Sequence, residues 1–321
     1  MAGQAMGVYS KTRLYPEEVL SKLPETVKGF EIPFNSNSLS SSQNSSSPGT
    51  ITGRRDAAEP MLGNIDCTGD VVTPVDTDAF GYLLAAAFGR PTTTPGKSGT
   101  NLYTHVFKPG KTQPSFAVEK VFSNGVYSLI NGVKVNQIEM TFGGDGELTA
   151  TVGFIGCKET INDAAAATDE NITKVGFNRL NNFQASLKID GKDVAIATEL
   201  SLTIPFGLDD SGYAIGSGGF RTRINEGIIS PTGKLTAFFD DKTFIDKAMT
   251  SKITQLQVTL TKGDKSLVVD IPEVMFARKS PGIDGTKGIT QELDYSAFYK
   301  ENSLNSCIQF TLVNGVATYE F

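Results

Sequence analysis

The chain has no tryptophan, one histidine and three cysteines among 321 residues. A single imidazole excludes a site built on paired histidines, and leaves His105, in the strand-like run LYTHVF, a structural or surface role. Cys67, Cys157 and Cys307 are odd in number and widely spaced, so they form neither a disulfide framework nor a metal cluster; reduced thiols in the cytosol are the expectation. No long hydrophobic run is present. The longest apolar-rich stretch, Ala79 to Phe88, is too short to cross a bilayer, and the opening MAGQAMGVYSKTRLYPEEV lacks the apolar centre of a secretion signal. Excess positive charge is missing too: a formal charge of −6 argues against a surface that grips phosphates, though not against one that nucleic acid slides past. There is no G-x-S-x-G elbow, and Gly96-Lys97-Ser98 does not end a phosphate-binding loop, because Pro91 stands where that motif needs glycine.

What the chain has is 33 glycines with abundant Thr, Val and Ser at 39% hydrophobic content, the profile of a mainly β protein. It also has an internal echo. Displaced by 164 positions, GNIDCTGDVVTPVDTDAFGYLLA (Gly63 to Ala85) aligns without gaps on GIISPTGKLTAFFDDKTFIDKAM (Gly227 to Met249), matching at Gly63/Gly227, Ile65/Ile229, Thr68/Thr232, Gly69/Gly233, Asp76/Asp240 and Phe80/Phe244. The unit reads as strand, turn, strand, capping Asp and helix. A second anchor is offered by Ile32-Pro33-Phe34 and Ile204-Pro205-Phe206, displaced by 172. The repeat reads as a duplication giving two domains; the bland alternative is that β-rich segments share Gly, Asp and Phe by chance.

Along the chain, residues 1–29 read as an N-terminal arm with a short helical turn between Pro16 and Leu23. Asn35 to Pro48, nearly all Ser, Asn and Gln, is either a flexible linker or a long polar hairpin. Phe80, Leu83, Leu84, Ala87 and Phe88 define one apolar helix face, started by Asp76 and Asp78 and ended by Gly89 and Pro91. Alternation predicts strands at 103–107, 115–122, 132–142 and 147–155, the last two joined by Gly143-Gly144-Asp145-Gly146. The acidic, Ala-rich 157–174 is the natural linker. Beyond it come strands at 183–189, 195–205 and 234–239, a helix over 240–250, and strands at 255–262, 267–271, 288–299 and 307–312; Asn314-Gly315 then predicts a hairpin into a closing strand Ala317 to Phe321.

Asp209-Asp210, Asp240-Asp241 and Asp76/Asp78 have plainer roles as turn formers and caps than as cation ligands or an acid–base pair. No catalytic, cofactor-binding or metal-ligating residue is assigned, no cofactor is called for, and the chain reads as built to assemble, not as an enzyme.

The run ITGRRDAAEPMLGNIDCTGDVVTPVDTDAFGYLLAAAFG followed by YTHVFKPGKTQPSFAVEKVFSNGVYSLINGVKVNQIEMTFGGDGELTATVGFIG resembles the tail tube (major tail) proteins of long-tailed bacteriophages, and LSLTIPF, GIISPTGKLTAFFDD and GITQELDYSAFY are similar to that family's second half. The likeness spans roughly residues 30 to 315; the arm matches nothing in it. It implies two tandem β-sandwich or barrel modules, each flanked by a short helix: 30–160 and 176–321, joined by a linker over 161–175. It further implies a virion tail subunit, assembled in the host cytoplasm, forming rings that stack into the conduit for genome delivery, with the Ser-rich 35–50 segment and its counterpart 207–219 as ring-to-ring contacts. Tape-measure protein and double-stranded DNA would occupy the lumen, and tail-terminator and tail-tip proteins the ends. Two modules per chain favour a trimer with pseudo-sixfold symmetry over a hexamer. The competing expectation is a secreted or surface β-sandwich that binds a ligand.

Overall fold

The computed structural model of the chain describes residues 3–96, 99–283 and 285–320, among which are twenty strands and two α-helices. The element that organises them is an antiparallel sheet eight strands wide. In spatial order its members are Ser40–Ser46, Met61–Pro74, Thr149–Gly156, the second half of Tyr127–Gly143, Ala197–Pro205, Thr232–Phe238, Thr290–Ala297 and the end of Lys265–Phe276.

Side-chain alternation explains why these segments pair in this register. Thr290–Ala297 (TQELDYSA) alternates exposed and buried along its whole length, and Ala197–Pro205 buries Leu200, Leu202 and Ile204. Neighbouring strands align their apolar positions into rows: Val71 lies opposite Val152, Val152 opposite Ile138, and Ile138 opposite Ile204. Each such buried aliphatic contributes about 1.5–3 kcal/mol, and a slip of one residue would turn the whole row to solvent.

A second layer covers the apolar face. Tyr127–Gly143 is long enough to serve both layers: its first half pairs with Phe116–Val121 and Lys158–Asn162, its second half with the eight-stranded sheet. Phe116–Val121 continues to Lys11–Pro16 and Gly29–Ile32, and Ile172–Lys174 adds parallel to the last. In the C-terminal half, Lys265–Phe276 plays the same double part, pairing with Thr254–Lys262, Gln309–Asn314 and Thr290–Ala297. Thr254–Lys262 continues to Ala185–Ile189 and Lys192–Asp193.

The two halves thus run through one strand order. Ser40–Ser46, Met61–Pro74, Thr149–Gly156, Tyr127–Gly143, Phe116–Val121, Lys11–Pro16 and Gly29–Ile32 are matched by Ala197–Pro205, Thr232–Phe238, Thr290–Ala297, Lys265–Phe276, Thr254–Lys262, Ala185–Ile189 and Lys192–Asp193. Even the register irregularities coincide, between Phe116 and Val118 and between Thr254 and Leu256. Tyr103–Phe107 and Thr92–Pro95 have no counterpart; this hairpin of the first half extends the second half's layer through Gln309–Asn314.

Helix α1, Phe80–Phe88, departs from expectation. Instead of burying one face, all nine of its residues are buried. It lies between the halves, with Phe88 5.3 Å from Phe206 and 5.5 Å from Phe310, and Tyr82 4.1 Å from Phe30 and 4.8 Å from Tyr319. One apolar core accordingly runs through both halves. Asp76 caps the entry, its Oδ1 accepting from the amides of Asp78 and Ala79, both at 2.5 Å, and of Phe80 at 3.3 Å. Helix α2, Thr243–Met249, buries only Phe244 and Ala248, and its first amide is held by Asp241, not Asp240.

Other expectations need correction. The arm is built into the fold from Lys11 onward, because Thr12 to Tyr15 are all buried between two strands; the turn beyond Pro16 is a tight Val19/Lys22 bridge with no helix. Asn35 to Pro48 is the polar hairpin and not a linker, anchored by buried Leu39. The 157–174 stretch carries strands Lys158–Asn162 and Ile172–Lys174. The Ile-Pro-Phe runs are not equivalent: Ser40 lies opposite Thr68 as Thr203 lies opposite Thr232, so Ile204 corresponds to Ser41. No strand forms over residues 317–320, where Tyr319 instead plugs the core, donating to Asp78 O at 2.7 Å and accepting from Asn314 at 2.6 Å. Phe321 lies outside the described residues, as do Lys97 and Ser98.

Two predictions follow from the core. A methyl at Gly81 would overlap the Tyr319 ring. Gly81→Ala, which elsewhere in a helix gains about 1 kcal/mol, is expected to cost about 1–3 kcal/mol in denaturant melts, and a gain would refute the packing. His105 is buried, with Nδ1 2.9 Å from Thr93 Oγ1 and Nε2 2.9 Å from Val316 O; burial lowers its pKa, so the fold favours neutral imidazole. That contribution is present above the unfolded value of about 6.5 and lost as pH falls below it. The melting temperature of wild type should therefore fall more steeply between pH 7 and pH 5 than that of His105→Gln, and parallel slopes would refute the assignment.

Candidate functional site

The eight-stranded sheet leaves its second face open. Along each strand the residues that alternate with the core reach it: Asp70 and Val72; Thr151; Gln137, Glu139 and Thr141; Glu199, Ser201 and Thr203; Thr232, Lys234 and Thr236; Thr290, Glu292, Asp294 and Ser296. The pairings set them in cross-strand rows. Thr151 stands opposite Glu139, Glu139 opposite Thr203, and Thr203 opposite Thr232; a parallel row runs Thr141, Ser201, Lys234, Asp294.

The face is acidic. It carries the carboxylates of Asp70, Glu139, Glu199, Glu292 and Asp294 against Lys234 and Lys279. Lys279 and Lys234 reach Glu292 at 3.2 and 3.4 Å, and their hydrogen bonds hold its carboxyl below the usual carboxylate range. Between the acids stand hydroxyls and amides, with the exposed Phe238 ring opposite Thr290 at the end of its strand. Such a surface repels phosphate while staying well hydrated.

At one rim a loop spanning residues 206–231 crosses the open side. Ile224 packs on Ile155 and Cys157, and Lys134 Nζ donates to Ile224 O at 3.0 Å and to Glu226 Oε1 at 2.6 Å. Arg221 is buried there, donating to Asp66 Oδ1 at 2.5 Å and to Gly156 O at 2.7 Å. The corresponding excursion of the first half, between Ser46 and Met61, is exposed throughout most of its length and carries the exposed Ile51, Met61 and Leu62 at or near its ends and tip.

The acidic residues singled out in the sequence are scattered. Asp209 accepts from the Ser211 amide and hydroxyl as a turn former, Asp241 caps α2, and Asp78 pairs with Lys265 at 2.7 Å. Burial pushes the Asp76 carboxyl up to about 6 against the pull of its three amide donors. Among the described residues no group of three or more His, Cys, Asp or Glu side chains is placed to hold a metal ion. The open-face carboxylates were missed in the sequence because each sits alone in its own strand; the signal for them was the polar half of each alternating pattern.

No helix is long and apolar enough to cross a membrane among the described residues. A search of curated proteins finds no match. A family model described as phage tail tube protein matches residues 7–297, nearly the whole chain, and includes both halves of the sheet and its acidic face. The chain therefore belongs to the phage tail tube protein family, as a structural subunit of the tail tube through which a phage delivers its genome.

Proposed function

We propose that three copies close into a ring, that the open acidic faces of their sheets form one continuous lumen, and that such rings stack into the tube. The observation that carries this reading is the eight-stranded antiparallel sheet, polar on one face and apolar on the other, with the same four-strand order in each half. Each half is then one ring module, the first ending near residue 160 and the second beginning near 176, fused through a shared core.

The width of the sheet supports three chains over two or six. Strands about 4.8 Å apart and tilted by about 40° give three chains a barrel about 48 Å across between backbones, or about 35 Å clear after side chains. That admits a hydrated DNA duplex or a tape-measure helix bundle. Two chains would leave about 20 Å clear, too tight for duplex and water, and six would open to about 80 Å clear, far beyond need. Like charge on the wall keeps DNA moving and prevents it from lodging, which needs neither catalysis nor a cofactor. Ring assembly in the host cytoplasm agrees with three free thiols, and tail-terminator and tail-tip proteins would cap the two ends of the stack.

Negative-stain microscopy of the purified protein at high concentration is expected to show rings or tubes with a central bore, and native mass measurements three chains per ring; monomers alone, or six chains per ring, would contradict the reading. A second outcome concerns the wall. Tubes carrying Glu139→Lys, Glu199→Lys and Asp294→Lys together should retain duplex DNA at low salt and release it at high salt, whereas wild-type tubes should not bind it. Equal binding by both would remove these residues from the lumen.

A further inference from the structure

Within the chain the two four-strand halves of the sheet meet where residues 137–143 pair with 199–205. Because both halves share one strand order, this inner seam is a template for the sheet's two outer edges. Ser40 opposite Thr68 corresponds to Thr203 opposite Thr232, so residues 36–42 along the outer edge are the counterpart of 199–205 at the inner seam. Likewise Met275 opposite Ser296 corresponds to Lys134 opposite Ile155, which makes the residues after Met275 the counterpart of 137–143. The chain beyond Phe276 keeps to that course: the Ala277 amide donates to Asp294 O at 2.8 Å, and Lys279 lies beside Glu292.

We propose that the edge at residues 36–42 of one copy pairs antiparallel with residues 277–283 of a second copy, and that Leu62 at the base of the first copy's hairpin packs on Met275 of the second copy. The proposal deepens the ring reading above and rests on it.

One substitution pattern carries the argument. At the inner seam Lys134, 8% exposed, holds Glu226 at 2.6 Å. The same 164-residue displacement that aligns the halves puts Leu62 in the place of Glu226, and the registers put Met275 in the place of Lys134. The ion pair between buried Lys134 and the partly exposed Glu226 carboxylate is thus exchanged, on both sides at once, for two large apolar side chains. In the single chain both reach solvent: Leu62 is 69% and Met275 38% exposed. Ile283, within the stretch that continues that outer edge, is also exposed. Apolar contacts suit a permanent interface between copies, where an exposed pair of this kind in a lone chain is a liability.

The edge itself is guarded. Leu39 O and Ser41 N point away from Met61–Pro74; Lys120 Nζ donates to the former, Glu159 Oε2 accepts from the latter at 2.8 Å, and the two side chains lie 3.7 Å apart. Charged side chains seated on an edge discourage indiscriminate strand pairing, and here they yield to the incoming strand.

The test is a two-residue exchange in the full chain. Leu62→Glu and Met275→Lys each place an unpaired charge in the proposed contact, and together they recreate the pair found at the inner seam. Both positions are exposed in the single chain, so melting temperatures should stay near wild type. Each single variant is expected to raise the concentration at which tubes appear by about tenfold or more, and the double variant to return it to within about threefold of wild type. Singles that assemble like wild type, or a double no better than either single, would overturn the seam while leaving the tube intact. Failure of wild type to assemble at all would instead overturn the ring reading beneath it.

Discussion

Everything in this molecule turns on a sheet that is incomplete alone. Eight antiparallel strands bury an apolar face against a second layer, yet the sheet does not close on itself, and its outer strands offer backbone groups to whatever comes alongside. A monomeric protein would shorten or cover such edges. In the proposed ring they are the means of assembly, and in the single chain Lys120 and Glu159 occupy backbone groups of one of them.

The second constraint is the burial of α1. A helix that is apolar on all sides has no solvent face to offer, so it belongs where two halves meet, and aromatic contacts to Phe206, Phe310 and Tyr319 fasten the N-terminal half to the C-terminal one. The Tyr103–Phe107 hairpin does the same through the sheet by joining Gln309–Asn314. In the proposed ring, two halves held so firmly form one rigid arc.

Much of the fold was legible in the sequence because alternation is a local signal. Thr290–Ala297 and Ala197–Pro205 announce their faces residue by residue, and the gapless match from Gly63 to Ala85 pairs Thr68 with Thr232, which hold the same place in the strand order of the two halves. What was not legible depended on distant partners. Lys11–Pro16 looks like a polar arm until Phe116–Val121 is placed beside it. Ile32-Pro33-Phe34 imitates Ile204-Pro205-Phe206 in letters but ends a strand of the other layer. Val316 to Glu320 follows a good turn signal, yet Tyr319 finds a better place under α1 than in a strand. The acidic face was hidden for the same reason: Glu139 and Thr203 become neighbours only when strands from opposite halves pair.

The most direct test of the account is a three-dimensional reconstruction of the assembled tube by electron cryomicroscopy. The account predicts a threefold ring whose wall is a continuous barrel of twenty-four strands, with Glu139, Glu199 and Asp294 pointing into a bore about 35 Å wide. A bore lined by any other surface of the chain, with the acidic face of the sheet turned outward or buried between rings, would contradict it.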